Sequence, residues 1–290
     1  MTEISAKLVK ELREMTGAGM MECKKALTEA EGEVDKAVDV LRTRGLAAAA
    51  KKAGRATNEG LIVVKVADDA KSAALVEVNC ETDFVSRNSV FAGLAESIAA
   101  AVLAGDPSDL EALNELKVEG TTVKDLLTEG IHTIGENIQV SRFKRLSTNK
   151  GAFASYIHGG GRLGIVVQFD FDKPETGQSA SFKTVAKDIA MQVAAANPLA
   201  ISQKDFSQEL IEKEMSIYKA QAAESGKPEK IQEQIAAGRM KKFYKESALV
   251  EQAFVKDPDT TVAQVLQAAS KELGDTLSVT GFERFELGGL

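Results

Sequence analysis

Apolar residues follow two different periods along this 290-residue chain, and the switches between them mark out its elements. Ile4, Leu8, Leu12 and Met15 recur at helical spacing and predict a first helix with one apolar face. The run Thr16-Gly17-Ala18-Gly19 ends it. A second helix is predicted from Met20 through Leu27 and Ala30 to near Gly32, and Val34, Ala37, Val38 and Leu41 predict a third that closes at Gly45. So small a helical unit leaves apolar surface uncovered. Met20 and Met21, adjacent after the glycine loop, cannot both face inward. The Ala-rich stretch from Leu46 to Asn58, with Lys51, Lys52 and Arg55, reads as a helical or flexible connector.

Beyond it the pattern shortens to strands, then lengthens again. Leu61 to Val66 and Ala74 to Val78 predict one strand pair, and Ala152 to Ile157 with Leu163 to Phe169 predict another. Each pair precedes a helix of the same design. Phe91, Leu94, Ala95, Ile98, Ala99, Val102 and Ala104 return as Phe182, Val185, Ala186, Ile189, Ala190, Val193 and Ala195, each 91 residues on. A repeated hairpin plus amphipathic helix predicts two related α+β subdomains, each a small antiparallel sheet covered by helices. The segment from Asp205 to Val250 interrupts the second copy. Leu210, Ile211, Met215 and Tyr218 predict one helix, Ser225-Gly226-Lys227-Pro228 a stop and restart, and Ile231, Ile235, Met240 and Phe243 a return helix. Val279, Phe282 and Phe285 predict a closing strand.

The segment with most chemical interest follows the strand from Leu75 to Val78. Glu81-Thr82-Asp83 should end that strand, and Phe84 and Val85 come next, before the polar Ser86-Arg87-Asn88-Ser89. An aromatic at a loop mouth beside a carboxylate suits insertion into a partner. It also suits folding back onto the chain's own core, the commoner fate of a phenylalanine, and residue type leaves both open.

Composition narrows the classes. A hydrophobic content of 44% with 27% charged residues describes a chain that can bury a core. The net charge of -7 argues against a direct nucleic-acid binder. No apolar run is long enough to span a bilayer, and the amino terminus carries no export signal. Cys23 and Cys80 lack metal-site spacing and fit a reduced, cytoplasmic setting. His132 and His158 are the only histidines. Most acid–base, triad and zinc schemes therefore lack their parts, so no catalytic residue, metal site or cofactor is expected. Gly159-Gly160-Gly161-Arg162-Leu163-Gly164 satisfies G-x-G-x-x-G, yet a strand follows where a dinucleotide site needs a helix, so the run reads as a hairpin turn. Ser147-Thr148-Asn149-Lys150 fits S-x-x-K without its companion motifs. His158 in that turn is either solvated or a contact residue. Two rival classes are an RNA- or ribosome-binding factor using Lys51, Lys52, Arg55 and residues 239–242, and a hydrolase using His158 and a nearby carboxylate.

Several of these segments together resemble the bacterial elongation factor Ts family, nucleotide exchange factors for elongation factor Tu. The resemblance rests on Leu12-Arg13 with Thr16-Gly17-Ala18-Gly19-Met20-Met21 and Cys23-Lys24-Lys25-Ala26-Leu27, then Glu77-Val78-Asn79-Cys80-Glu81-Thr82-Asp83-Phe84-Val85. Ile134-Gly135-Glu136-Asn137-Ile138, His158-Gly159 with Arg162-Leu163-Gly164, Gly226-Lys227-Pro228, and Gly238-Arg239-Met240-Lys241-Lys242-Phe243 complete it. It implies an α+β chain with a ubiquitin-associated-like helical domain at 1–54 and a core N-subdomain at 55–146. A core C-subdomain follows at 147–204 and 251–290, with a coiled-coil helical hairpin inserted at 205–250. It implies that Thr82, Asp83, Phe84 and Val85 dislodge the partner's magnesium ion, with Phe84 exposed. Met20, Met21, His158, Gly159 and Arg162 are the implied partner-binding residues. The implied partner is elongation factor Tu, GDP-bound or nucleotide-free, and the hairpin is a candidate homodimer surface. A further helix that some members carry past Arg284-Phe285-Glu286 is expected to be missing.

Overall fold

The apolar faces of the first helices meet in one small core. Helices α1 (Ala6–Thr16), α2 (Met20–Glu29) and α3 (Val34–Lys52) enclose Leu12, Cys23, Ala26, Leu27, Ala37 and Leu41. The computed structural model describes residues 4–16 and 18–289. Gly17 of the predicted helix break, the first three residues and Leu290 lie outside the described residues.

The core is one topology used twice. Strands β1 (Glu59–Val66) and β2 (Ser72–Cys80) form an antiparallel hairpin, followed by a single-turn helix α4 (Asp83–Ser86) and the long α5 (Ser89–Gly105). A short α6 (Leu110–Glu115) and a minimal hairpin of β3 (Lys117–Val118) and β4 (Thr121–Thr122) lead to α7 (Val123–Ile134). Strand β5 (Ile138–Ser147) then returns to pair with β2, giving the order β1-β2-β5. The second half repeats this with β6 (Ala152–His158), β7 (Leu163–Asp170) and α8 (Ala180–Ala196). The inserted helices α9 (Gln208–Ala223) and α10 (Glu229–Ser247) come next. A second minimal hairpin, β8 (Ala253–Phe254) with β9 (Asp257–Thr261), leads to α11 (Val262–Leu273) and the closing β10 (Ser278–Glu286), in the order β6-β7-β10. The predicted repeat helices and closing strand are all present, so the architecture is the expected α+β one.

The two sheets stack, with helices outside both. In β2 the alternate residues Ala74, Val76, Val78 and Cys80 join α5 and α7 in one core, while Ala73 and Leu75 face the other sheet. There they meet Ile62, Phe153, Val166 and Phe285. A third core joins Ile165, Val167 and Phe169 of β7 to Phe182, Ile189 and Val193 of α8 and to Val262 and Leu266 of α11. Gly164 marks the closest approach, since a Cβ there would lie 2.5 Å from Ile62 Cγ2 and 2.9 Å from Val64 Cγ2. Glu77, only 2% exposed, sits in the same inter-sheet plane, where Arg142 Nε donates to it at 2.8 Å and Asn79 Nδ2 at 3.0 Å.

The third helix does not close at Gly45 but continues to Lys52, so the first part of the connector takes the helical one of its two expected forms. Gly45 lies against α7, where a Cβ would sit 3.5 Å from Thr128 Cγ2, and this packing carries the helix through a residue of poor propensity. The connector also shares more with the core than expected. Arg42 forks onto Asp125 at 2.9 and 3.0 Å, and Lys52 Nζ donates to the Ile131 carbonyl at 3.0 Å. In the hairpin, the last residues of the predicted insert belong to the body: Leu249 is fully buried in the core of the second half, and Ala248 packs with Ala200 and Phe206 at the root.

Candidate functional site

The loop after β2 is short, polar and held at both ends. Thr82 adopts extended backbone and its hydroxyl accepts the Val85 N–H at 3.4 Å, capping α4. This single turn places Val85 against the core of the first half and turns Phe84 outward. The ring is 84% exposed, so the inward alternative for Phe84 does not hold. It is the most exposed of the large apolar side chains among the described residues. Asp83 pairs with Arg87 at 3.1 Å, both on the surface.

Glu136, immediately after the left-handed Gly135 that ends α7, fixes the loop from beneath. One of its carboxylate oxygens accepts the N–H groups of Glu81 and Thr82, each at 3.0 Å, and the other accepts the Thr82 hydroxyl at 2.6 Å. Glu81 reciprocates by accepting the Asn137 N–H at 2.6 Å and pairing with Arg55 at 3.3 Å. Cys80, buried beside this carboxylate, has its thiol pushed up to about 12 by burial first and by the Glu136 charge second. It donates to the Thr82 carbonyl at 3.3 Å and is no nucleophile.

The hairpin turn of the second half lies at the same end of the molecule. Arg162 Nη1 donates to Glu59 at 2.9 Å, and Glu59 is the register partner of Cys80, two residues from Thr82. Ile62 N–H donates to the Gly161 carbonyl at 2.7 Å, which ties the turn to β1. Gly159, Gly160 and Gly161 all have positive φ, and the chain reverses there between strands, as the G-x-G-x-x-G run was expected to do. His158 is exposed and lies 3.0 Å from the Tyr156 hydroxyl. Beside it, Tyr156, Met191, Ala194, Ala195 and Val255 line an open hollow of about 220 Å³.

Met20 and Met21 are both exposed, at 55% and 65%. They form a separate patch, linked to the loop only indirectly. Glu22 Oε2 lies 2.7 Å from His132 Nε2 without hydrogen-bond alignment, and His132 is on the α7 turn that leads to Glu136. Two of the three basic residues of the connector are engaged locally, Lys52 at a carbonyl and Arg55 at Glu81. Among the described residues, no group of three or more His, Cys, Asp or Glu is placed to hold a metal ion, and no helix is long and apolar enough to cross a membrane.

The role of Glu136 was not read from the sequence. A signal was present: Ile134-Gly135-Glu136-Asn137-Ile138 returns as Leu273-Gly274-Asp275-Thr276-Leu277. Asp275 accepts the N–H groups of Asp172 and Lys173 at 3.1 and 2.9 Å and the Thr176 hydroxyl at 2.6 Å. Both halves therefore brace the loop after their second strand with a carboxylate that follows a helix-ending glycine. The first half alone sets an exposed aromatic on it.

A family model described as "Elongation factor TS" matches residues 81–289. The chain is 50% identical over 286 residues to an elongation factor Ts of Clostridium perfringens, covering 98% of this chain and 93% of the relative. It is 48% identical over 288 residues to those of Clostridium kluyveri and Clostridium botulinum, covering 98% of this chain and 93% and 92% of the relatives. With the doubled core, the exposed loop and these matches in hand, the chain belongs to the elongation factor Ts family and is a translation elongation factor.

Proposed function

We propose that the chain binds GDP-loaded elongation factor Tu in the cytoplasm and promotes exchange of GDP for GTP, with Phe84 entering the partner. The observation that carries this reading is the anchored, solvent-exposed ring at the tip of β2. Phe84 parts two partner helices, and Asp83 disturbs the polar network around the partner's magnesium. Loss of the ion removes the charge that holds the phosphates, and GDP leaves. The chain acts as an exchange factor through binding, without covalent catalysis of its own.

Linkage sets the scale. A factor that binds nucleotide-free partner more tightly than nucleotide-bound partner lowers nucleotide affinity by the same ratio. A thousandfold effect needs about 4 kcal/mol of differential binding. Burying one phenylalanine contributes about 1.5–3 kcal/mol. The ring therefore needs help, which this reading assigns to Met20 and Met21 on α2 and to the His158, Gly159 and Arg162 turn. The exposed methionines are flexible apolar contacts suited to a partner surface. The hairpin, which leaves Ile217 and Ile231 exposed, is the surface we assign to any self-association.

The test is release of labelled GDP from elongation factor Tu. Phe84→Ala is expected to slow stimulated release at least about tenfold, a loss of about 1.4 kcal/mol that the ring's burial can supply. Its melting temperature should stay near that of the parent, because the ring has no core contact to lose. An unchanged release rate would exclude the wedge role.

A further inference from the structure

We propose that Glu136 is a positioning residue for the exchange reaction, holding Phe84 in the orientation that enters the partner; this rests on the reading of Phe84 given above. Besides Glu136, the loop from Glu81 to Ser86 is held at its start by the bonds of Glu81 to Asn137 and Arg55 and of Cys80 to the Thr82 carbonyl, while the turn that carries Phe84 lies beyond them. Its only regular structure is one turn of helix, too short to persist alone. Its apolar anchor is Val85, since Phe84 points away. Three of its donors, two backbone N–H groups and one hydroxyl, converge on a single half-buried carboxylate. Such charge-assisted bonds are the stronger class. They span the segment just before the turn, so they set the direction in which α4 leaves β2. Glu136 itself is fixed by the left-handed Gly135 and by the neighbouring Asn137, which is buried and donates to the Arg55 carbonyl at 2.9 Å.

The second half supplies an internal comparison. Asp275 accepts the equivalent three donors from Asp172, Lys173 and Thr176, but the loop it braces carries no exposed large apolar side chain. The brace is thus a structural device of this topology. In the first half it has been given an orienting task as well. If the productive orientation becomes a minor fraction of the loop's conformations, the maximal exchange rate falls by that fraction while the remaining docking surfaces still bind.

The experiment measures stimulated GDP release from elongation factor Tu over a range of factor concentrations, so that maximal rate and half-saturating concentration separate. Glu136→Ala is expected to lower the maximal rate by about tenfold and to move half-saturation by less than about twofold. Glu136→Gln should recover most of the rate, because its amide oxygen can still accept both N–H groups and its NH2 can donate to the Thr82 hydroxyl. Asp275→Ala, which removes the matching brace, should lower the melting temperature comparably and leave the rate unchanged. Adding Glu136→Ala to Phe84→Ala should cost less than Glu136→Ala costs in the parent, since only Asp83 is then left to orient. Should Glu136→Ala fail to melt cooperatively, Glu136→Asp, which shortens the reach of the carboxylate to its three donors while leaving the Thr82 cap in place, is expected to give an intermediate loss, and a full rate for it beside a slow Phe84→Ala would count against the positioning role. Equal slowing by Glu136→Ala and Asp275→Ala, or a full rate for Glu136→Ala beside a slow Phe84→Ala, would overturn the positioning role alone. A full rate for Phe84→Ala would overturn both readings.

Discussion

A carboxylate that gathers backbone N–H groups and a hydroxyl holds a loop more firmly when it is ionised, and at Asp275 this makes the brace sensitive to acid. For Asp275 the pKa falls from the ordinary 3.8 to about 2, chiefly through the Thr176 hydroxyl, with the Lys173 and Asp172 N–H groups adding to it against an opposing desolvation. The folded pKa lies below the unfolded one, so the contribution to stability is complete above about 4 and fades as the pH falls towards 2. The gap in melting temperature between the parent and Asp275→Asn is therefore expected to be constant at neutral pH and to shrink across that acid window; a gap independent of pH would show the brace to be inert. Gly164 gives a second residue-scale prediction. A methyl group there meets Ile62 and Val64 across the sheet interface, so Gly164→Ala should destabilise by about 1–3 kcal/mol in denaturant unfolding. Neither effect was legible in the sequence. The apolar periods located the strands, but a bond between residues more than fifty positions apart leaves no local period. The exposure of Phe84 was likewise undecided by residue type, because only the cap at Thr82 and the inward anchor Val85 settle which of two adjacent apolar residues faces water.

Element by element, legibility tracked length. The long repeat helices α5 and α8 were readable because their buried faces repeat at helical spacing over four turns. The two-residue strands β3, β4 and β8 were not, since no period exists in so few residues. Their clue was compositional, Thr121-Thr122-Val123 recurring as Thr260-Thr261-Val262, where the second threonine caps the next helix in each half. The inserted hairpin was readable as helices but not at its root. Ala200 bridges Ala248, and the Leu199 N–H donates to the Ser247 carbonyl at 2.8 Å, so the ends of the insert already lie together. Replacing residues 208–247 with a short Gly/Ser linker is expected to leave a folded core with partial exchange activity and, in sedimentation, no hairpin-mediated association. Extending the cut to 204–250 removes Phe206, Ala248 and Leu249 as well. That wider deletion should cost about 2–5 kcal/mol, as loss of a large buried apolar side chain does, visible as a lower unfolding midpoint.

For the molecule as a whole, the helical domain is joined to the core by more than a tether. The second half of α3 lies along α7 through Gly45, Arg42 and Lys52, and Ala49 reaches the core of the first half. Deleting residues 1–54 is thus expected to weaken partner binding and also to lower the melting temperature, by roughly 3–10 °C for a loss of about 1–3 kcal/mol in a chain this size, while unfolding stays cooperative. An unshifted melting curve would mean that this contact contributes nothing. The stacked sheets have a mechanical consequence. Every residue of β2 from Ala73 to Cys80 is buried, on both faces, and its amides should exchange with solvent only when the entire chain unfolds. Two bodies pressed together share the deformation in inverse proportion to their stiffness. Phe84 stands on a braced turn just beyond the end of this buried strand, so under the proposed docking the firmer the brace, the more of the distortion falls on the partner.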